Sequence, residues 1–206
     1  VQRPASNSHL PGETLREALA SWRFWAMCAP FFLMALTISG MIVNMLPLLR
    51  DSGIDAATAA SITSSIGIGV MTARIAIGYL VDRLDPRLVA AVVFGIAASG
   101  CVLLIQPWTT AAALGAFAIG FTAGAEYDLL AYISSRYFGL RQHGSIFGAG
   151  LSLFHLGAML SPLLIGELHA LAGSYEPALW TTVALAILAA ASIATIGPIR
   201  YRDDSP

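Results

Sequence analysis

Six long apolar stretches dominate the chain, and short polar connections separate them. A helix needs about 20 mostly apolar residues to cross a hydrocarbon core. Helices are also the only open-ended elements that satisfy every backbone group in lipid. The pattern therefore predicts an all-α membrane protein with six transmembrane helices in a bundle over residues 23–200. The expected spans are residues 24–49, 56–81, 87–105, 109–135, 143–171 and 177–199.

The two ends of the chain differ from this bundle. Residues 1–12 are polar and typical of a loop, and the next stretch places Leu15, Leu19 and Trp22 at spacings of four and three. That spacing predicts a short amphipathic helix along the membrane surface. Residues 1–22 are thus a linker with one helix, and residues 201–206 are a polar tail. The chain begins with Val and has no signal-peptide pattern, so we expect a piece of a longer protein.

Composition limits the partners of the chain. It is 57% hydrophobic and 11% charged, whereas soluble domains are about a quarter charged, so a lipid bilayer must cover much of its surface. The net charge of −1 gives no electrostatic reason to expect a nucleic-acid partner. Cys28 and Cys101 both lie in apolar stretches, and two cysteines alone predict neither a disulfide framework nor a metal site. We expect no metal and no cofactor.

Arginine placement predicts the orientation. If the amino terminus is cytoplasmic, nine arginines flank the spans on that side and one on the other, as the positive-inside rule requires. Both termini are then cytoplasmic, which agrees with an even number of spans. The opposite side has Arg50, and the cytoplasmic side has Arg3, Arg16, Arg23, Arg83, Arg87, Arg136, Arg141, Arg200 and Arg202.

The turn between the second and third spans, residues 78–87, is densely charged. Asp82, Arg83, Asp85 and Arg87 fall within six positions of the sequence GYLVDRLDPR. One interpretation is a polar hairpin turn. The other is a conformational latch, in which Asp82 faces the positive end of a neighbouring helix and the arginines pair with Asp82, Asp85 or nearby helix carbonyls. In both, Gly78 is expected to allow close packing at the helix end.

This turn resembles the G-x-L-x-D-R-x-x-x-R loop of the major facilitator superfamily, found between the second and third helices of each six-helix half. Gly78, Leu80, Asp82, Arg83 and Arg87 match that pattern. The sequence departs from it at residues 84–86, where Leu-Asp-Pro replaces the family's usual glycine and stiffens the turn. Residues 40–54, 71–78 and 124–148 are similar to the monocarboxylate and oxalate–formate branch of the superfamily.

The resemblance implies a fold and a function. The fold is one half of a major facilitator structure, with a 3+3 inverted repeat, and we expect this chain to be the C-terminal half with an N-terminal six-helix half as its partner. The function is secondary active transport of a small organic anion, a mono- or dicarboxylate, by alternating access. The expected location is the inner membrane of a bacterium.

Three charged residues, Arg74, Glu126 and Asp128, lie within predicted spans, where ionised groups are costly and usually functional. Arg74 precedes Asp82 by eight residues, and Asp128 precedes Arg136 by eight. Each should thus lie about 12 Å inside the membrane. Equal depth favours an Arg74–Asp128 ion pair with Glu126 as a competitor. The two acids are about 200° apart around their helix, so both cannot face one partner.

Arg74 has two interpretations. It is either half of a structural ion pair or a cavity residue whose planar guanidinium binds a substrate carboxylate. The resemblance implies the second role, since an arginine at this position helps to bind the carboxylate in the monocarboxylate-like branch. Some members of that branch have an aspartate linked to proton coupling four residues earlier. Val70 stands there, so proton coupling would need another group.

Two further polar residues are candidates for substrate binding. His155 lies near the middle of the fifth span and could titrate near neutral pH, although a histidine bonded to a neighbouring hydroxyl or carbonyl is the simpler interpretation. Asn44 in the first span is either a cavity amide or a local hydrogen-bonding group between helices.

Two other functions compete with transport. A membrane sensor or assembly domain of the same fold would have the same sequence pattern, because fold does not fix function. An intramembrane enzyme would need an activated serine with a histidine base. Only Ser152 and His155 are loosely placed for that chemistry, and they share one helix. We therefore expect a protein that is not an enzyme.

Overall fold

The computed structural model describes residues 11–197 of the chain, and this part is almost entirely helical. Its only bridge of strand type joins Gly12 to Gly139 within those residues. The helices are α1 Leu15–Ala20, α2 Trp22–Asp51, α3 Ala56–Val81, α4 Pro86–Ile105, α5 Thr109–Phe138, α6 His143–Ala172 and α7 Glu176–Thr195.

These helices confirm the predicted elements. The short helix of the linker is α1, and the six predicted spans correspond to α2–α7, with the bounds of the second span unchanged in α3. The first ten residues, the polar tail, Arg3, Arg200 and Arg202 lie outside the described residues.

Local chemistry explains several helix ends. The Asp55 side chain accepts hydrogen bonds from the backbone N–H groups of Ala57 and Thr58 and so caps the start of α3. Asp85 caps α4 in the same way, followed by a proline in the first turn. At the other ends, α5 stops at Gly139 and α6 at Gly173, both with positive φ (73° and 70°), a conformation that glycine adopts without strain.

Five of the described helices are long and apolar enough to cross a membrane by composition alone: α2, α3, α4, α6 and α7. The predicted fourth span, α5, is also 30 residues long, but glycine, alanine and threonine replace the larger apolar residues along much of it. It also carries Glu126, Asp128 and Arg136. Its position explains this composition, because α5 packs against α2, α3, α4 and α6.

The helix contacts follow a repeat of three. The repeat pairs α2 with α5, α3 with α6 and α4 with α7. Exchanging the members of each pair turns the extensive α3–α5 interface into α6–α2 and the α4–α5 interface into α7–α2, and both of these interfaces are present. The pairs α2–α5 and α4–α7 map onto themselves and are also in contact. Successive spans alternate in direction, so a shift of three reverses it, and the contacts confirm the 3+3 inverted repeat.

The α3–α5 interface depends on small residues. A Cβ atom added to Gly120 would lie 2.1 Å from the Ile66 carbonyl oxygen, and one added to Gly124 would lie 2.6 Å from that of Val70. The two helices therefore approach closely at Gly120 and Gly124. Gly144 and Gly148 have the same spacing of four residues, but an added Cβ would meet no atom of another helix within 4 Å there.

Several connections meet at one end of the bundle, here called the arginine-rich end. The Leu15 N–H donates to the Gln142 side chain between α5 and α6, and the Glu13 N–H donates to the Phe138 carbonyl. At this end, the Arg87 and Tyr137 side chains donate to carbonyls at the end of α7. The start and the end of the described chain therefore lie on the same side as the charged turn.

Candidate functional site

Arg74 lies on the exposed side of α3, and the α3–α5 contacts fix its level. Gly120 packs on Ile66 and Gly124 on Val70, so residues of α5 lie opposite residues of α3 that are 54 positions earlier. One further turn of both helices brings Asp128 opposite Arg74. The register thus places the two residues at the same level along the bundle.

The two acids of α5 face different surroundings. Asp128 is exposed, whereas Glu126 is 2% exposed. Thr122, one turn before Glu126 on the same side of the helix, donates a hydrogen bond to the Val93 carbonyl of α4 at 3.2 Å. Glu126 therefore points into the bundle, and its Oε1 atom has no hydrogen-bond partner among the described residues.

The expected ion pair is not formed directly. Among residues 11–197, no hydrogen bond or contact within 4.0 Å joins Arg74 to Glu126 or Asp128; the ion pairs there are Arg87–Asp85 and His169–Asp51. Glu126 cannot compete for Arg74, because it points away from the exposed side of α5. Asp128 remains the acid that the register places across from the guanidinium.

His155 on α6 lies beside this level, through contact with α5. Its Nε2 atom is 3.5 Å from the hydroxyl oxygen of Tyr127, the neighbour of Asp128 in sequence. Its Nδ1 atom is 2.8 Å from the Leu151 carbonyl oxygen, one turn earlier. The local hydrogen bond expected for His155 is therefore present. Tyr127 had no predicted role, because its contact with His155 depends on the packing of α5 and α6.

We define four exposed residues, Arg74, Asp128, Tyr127 and His155, as the polar belt. The belt crosses three helices at one level, from α3 through α5 to α6. It offers one permanent cation, one carboxyl group, a tyrosine hydroxyl and an imidazole, and the last two can each donate and accept hydrogen bonds. Such a set suits a small ligand with a carboxylate and a second polar group.

Asn44 does not belong to this belt. Its amide donates to the Gly40 carbonyl of the same helix at 2.9 Å. Gly40 packs against Ser161 of α6, and Ser161 follows His155 by six residues. Asn44 lies one turn beyond Gly40, further from the arginine-rich end. About ten residues of helix, or roughly 15 Å, therefore separate Asn44 from His155 along the bundle. The amide of Asn44 thus bonds within its own helix and to no other helix among the described residues, and a role for Asn44 in substrate binding stays a prediction.

Ser161 is a structural residue that the sequence did not reveal. Its hydroxyl accepts from the Gly40 N–H at 2.7 Å and donates to the Leu36 carbonyl, two groups that would bond to each other in a regular helix. The hydroxyl is thus inserted into the backbone ladder of α2, which is a common cause of helix bending. The nearby Pro162 was the only local signal.

Residues of the charged turn make separate contacts. Arg87 donates to both carboxylate oxygens of Asp85 and, at 2.6 Å, to the Ile196 carbonyl at the end of α7. Hydrogen bonds from Arg87 hold the pKa of the Asp85 carboxyl below its usual range. The Arg83 guanidinium stacks on the Tyr79 ring at 4.1 Å. Pairing of Arg87 with Asp85 and a helix carbonyl is as expected.

Two expectations for this turn were wrong in this conformation. Asp82 is exposed and makes no hydrogen bond to Arg141 or to the start of α6 within the described residues. An added Cβ at Gly78 would meet no atom within 4 Å, so Gly78 is not a close-packing residue here. Asp82 ends α3 in helical geometry, which turns its side chain towards open space.

The serine–histidine pair of the enzyme alternative is not assembled. The Ser152 hydroxyl donates to the Gly148 carbonyl at 2.9 Å, whereas His155 contacts Tyr127 and Leu151. Each side chain is thus engaged locally or with another helix, and no hydrogen bond joins the two in the described chain.

Comparison with known families decides the identity of the fold. The sequence profile of the Major Facilitator Superfamily matches residues 14–206, nearly the whole chain. The chain belongs to the Major Facilitator Superfamily. It is therefore an integral membrane protein of a family of transporters, and the six-helix bundle is one half of the superfamily's fold.

Solved structures of this superfamily agree with the fold. The crystal structure of FucP, a superfamily transporter in the outward conformation, superposes with a TM-score of 0.60 at 17% identity. The match covers 95% of this chain and 48% of FucP. At this identity the similarity shows the fold alone.

Curated relatives within the superfamily include transporters of aromatic acids. The gallate transporter of Pseudomonas putida is 29% identical over 98% of this chain and 45% of its own length. The benzoate transport protein of Acinetobacter baylyi is 28% identical over 91% of this chain and 39% of its own length. The 3-(3-hydroxy-phenyl)propionate transporter of Escherichia coli is 26% identical over 77% of this chain and 38% of its own length. The chain spans less than half the length of these relatives.

Proposed function

We propose that the chain is the C-terminal half of a secondary active transporter that moves a small aromatic carboxylate by alternating access. The observation that carries the proposal is the register of α3 on α5, with Arg74 and Asp128 at one level on an exposed side of the bundle. A guanidinium is a permanent cation with a planar fork that matches a carboxylate. The names of the three relatives support an aromatic acid as the substrate.

In this proposal, Arg74 binds the substrate carboxylate and Asp128 takes part in coupling. Without substrate, Asp128 is the nearest candidate for balancing the charge of Arg74 across the α3–α5 groove. When a substrate carboxylate occupies the guanidinium, Asp128 loses part of that counter-charge, and its carboxylate becomes available for the coupling step. Substrate and proton would therefore be carried together.

The proposed orientation puts the arginine-rich end in the cytoplasm of a bacterial cell, with the protein in the inner membrane. The nine flanking arginines support this side. The partner is a second six-helix half, which would face the exposed side of α2, α3, α5 and α6 and enclose the polar belt. The similarity of this chain to about half of FucP supports such a partner.

The charged turn is proposed to act as a latch through Asp82. Because the Asp82 side chain is exposed and makes no hydrogen bond within residues 11–197, it is available to a group that approaches in another conformation. Asp82→Asn should leave the abundance of the protein in the membrane unchanged and reduce the uptake rate at least about tenfold. Normal uptake by this variant would remove the latch from the account.

Uptake by the full-length protein, both halves together, tests the proposed function. Cells that express it should accumulate radiolabelled benzoate and hydroxybenzoates above cells with an empty vector. Dissipating the proton gradient should abolish that accumulation. Acetate and a sugar serve as controls for a small aliphatic carboxylate and a neutral solute. Absence of uptake of every aromatic carboxylate tested, by a protein present in the membrane, would contradict the proposal.

A further inference from the structure

Tyr127 and His155 face each other across the α5–α6 contact, at the end of the polar belt opposite Arg74. The Tyr127 hydroxyl oxygen is 3.5 Å from His155 Nε2, which is long for a hydrogen bond with an O–H donor. Both side chains are exposed, and Tyr127 is 40% accessible. The pair thus has hydrogen-bonding capacity that neither partner fully uses.

The surroundings of His155 assign the roles of its two nitrogens. The Leu151 carbonyl, 2.8 Å from Nδ1, is only an acceptor, so Nδ1 carries the proton of the neutral ring. The Nε2 atom is then an acceptor and lies on the side of Tyr127. Together, Nε2 and the Tyr127 hydroxyl present one acceptor and one donor side by side.

A buried ring fixes this pair in place. Phe154 is 4% exposed, and its ring centroid lies 5.0 Å from that of Tyr127 and 5.6 Å from that of His155. Contacts of this kind between aromatic rings favour defined orientations. The donor and the acceptor are therefore held on an aromatic base instead of on mobile side chains.

Helix order places Arg74 and this pair on opposite sides of α5. Arg74 is on α3, which packs tightly on α5, and His155 is on α6, which contacts α5 through Tyr127. In the binding mode proposed here, the ligand carboxylate binds Arg74 and its ring extends along the belt towards Tyr127 and His155. We propose that Tyr127 and His155 form a subsite for a ring hydroxyl group, which makes the protein prefer hydroxylated aromatic carboxylates. This inference rests on the proposed function.

The chemistry of a phenol fits the subsite. Its hydroxyl group donates to Nε2 of His155 and accepts from the hydroxyl of Tyr127, so one ligand group satisfies both partners. When the bound aromatic acid has no hydroxyl, Tyr127 and His155 have only their long contact with each other as a hydrogen bond at this place. A net gain of one to two neutral hydrogen bonds corresponds to a preference of about tenfold.

The test measures uptake efficiency, Vmax/KM, of 4-hydroxybenzoate, 3-hydroxybenzoate and 4-methylbenzoate by the full-length protein. The methyl compound has a similar size but lacks the hydroxyl. Tyr127→Phe keeps the ring contact with Phe154 and removes the hydroxyl, and His155→Leu removes the acceptor. Tyr132→Phe and His169→Gln are matched controls, because Tyr132 bonds to Arg136 and His169 contacts Asp51 at the two ends of the bundle.

We expect the wild type to prefer at least one hydroxybenzoate over 4-methylbenzoate about tenfold. Tyr127→Phe should reduce that ratio at least about threefold and His155→Leu should bring it near one, with uptake of 4-methylbenzoate retained and both controls unchanged. No preference in the wild type, or an unchanged ratio in both variants, would overturn the subsite. Equal loss of all three substrates in His155→Leu, at normal abundance in the membrane, would instead make His155 a carboxylate ligand and also overturn it. Absence of all aromatic uptake in the wild type would overturn the proposed function together with the inference.

Discussion

At the residue scale, the charged turn shows that adjacent charges serve separate tasks. Arg87 bonds to Asp85 and to the Ile196 carbonyl, so it ties the start of α4 to the end of α7. The Asp82 side chain, three positions before Asp85, has no such bond within the described residues. The Arg87 contacts are thus part of the fold in this conformation, whereas the Asp82 side chain is available for a contact in another conformation.

The Asp85–Arg87 contact should make stability depend on pH. Hydrogen bonds from Arg87 lower the pKa of Asp85 in the folded state, so the carboxylate contributes stability above its unfolded pKa of about 3.9 and loses that contribution as the pH falls through the lower folded pKa. In detergent, Asp85→Asn should melt below the wild type at pH 7. The difference should shrink steadily once the pH is below about 4.

Asp82→Asn is the matched control for that experiment, because it removes a carboxylate from the same turn without removing a described contact. It should melt with the wild type at pH 7. A difference between wild type and Asp85→Asn that persists unchanged at low pH would show that the carboxylate charge is not what stabilises the turn.

The sequence predicted part of the site at this scale. Equal depth of Arg74 and Asp128 followed from their distances to the ends of the spans, since helix rise is constant. The sequence alone could not predict that Glu126 is the acid that points inwards, because it is equally compatible with either acid of α5 facing the bundle interior. The level of Asn44 relative to His155 could not be predicted either, because depth within its own span says nothing about the register of α2 on α6.

At the scale of elements, the close approach of α3 and α5 depends on a few glycines. Gly69 of α3 and Gly120 of α5 each bring the backbone of one helix against the other, where an added Cβ would lie 2.3 Å and 2.1 Å from a carbonyl oxygen. This interface also sets the register between Arg74 and Asp128. The geometry of the polar belt therefore depends on glycines that lie outside the belt.

Gly120→Ala should separate α3 from α5. The new methyl group meets backbone that cannot rotate away, and overpacking of this kind costs about 1–3 kcal/mol. We expect a lower melting temperature in detergent and weaker uptake. Gly148→Ala is the matched control, because an added Cβ there meets open space. If both variants melted together with the wild type, the close approach of α3 and α5 would be wrong.

Helix limits were easier to predict than helix contacts. The bounds of α3 follow from a capping aspartate, a long apolar run and a polar turn, all of which are local signals. Close packing at Gly78 was predicted, and this position turned out to be open, as are Gly144 and Gly148. A glycine permits close approach but does not reveal which side of a helix meets a neighbour.

At the scale of the whole molecule, the chain forms half of a superfamily fold, and its inverted repeat is visible in the helix contacts. The loop resemblance predicted this architecture before any contact was known, because the G-x-L-x-D-R pattern is tied to one place in the fold. The bundle leaves α3 and α6 less buried than α2 and α4. That exposure is what a second half would cover.

The proposed orientation predicts which loops a reagent outside the cell can reach. In the full-length protein, Ser52→Cys, between α2 and α3, should react with a maleimide that does not cross the membrane. Leu140→Cys, between α5 and α6, should react only after the membrane is permeabilised. Both positions are exposed, and the native Cys28 and Cys101 are buried. The reverse pattern of labelling would invert the topology.

The most direct test of the account is carboxylate binding by Arg74. Arg74→Lys keeps the positive charge but loses the planar fork, so the affinity of the purified full-length protein for an aromatic carboxylate should fall about tenfold or more while its melting temperature stays near that of the wild type. Arg50→Lys, at the other end of the bundle, is the control and should bind normally. Equal affinity of wild type and Arg74→Lys would mean that Arg74 does not bind the substrate, and the proposed anion site would lose its foundation.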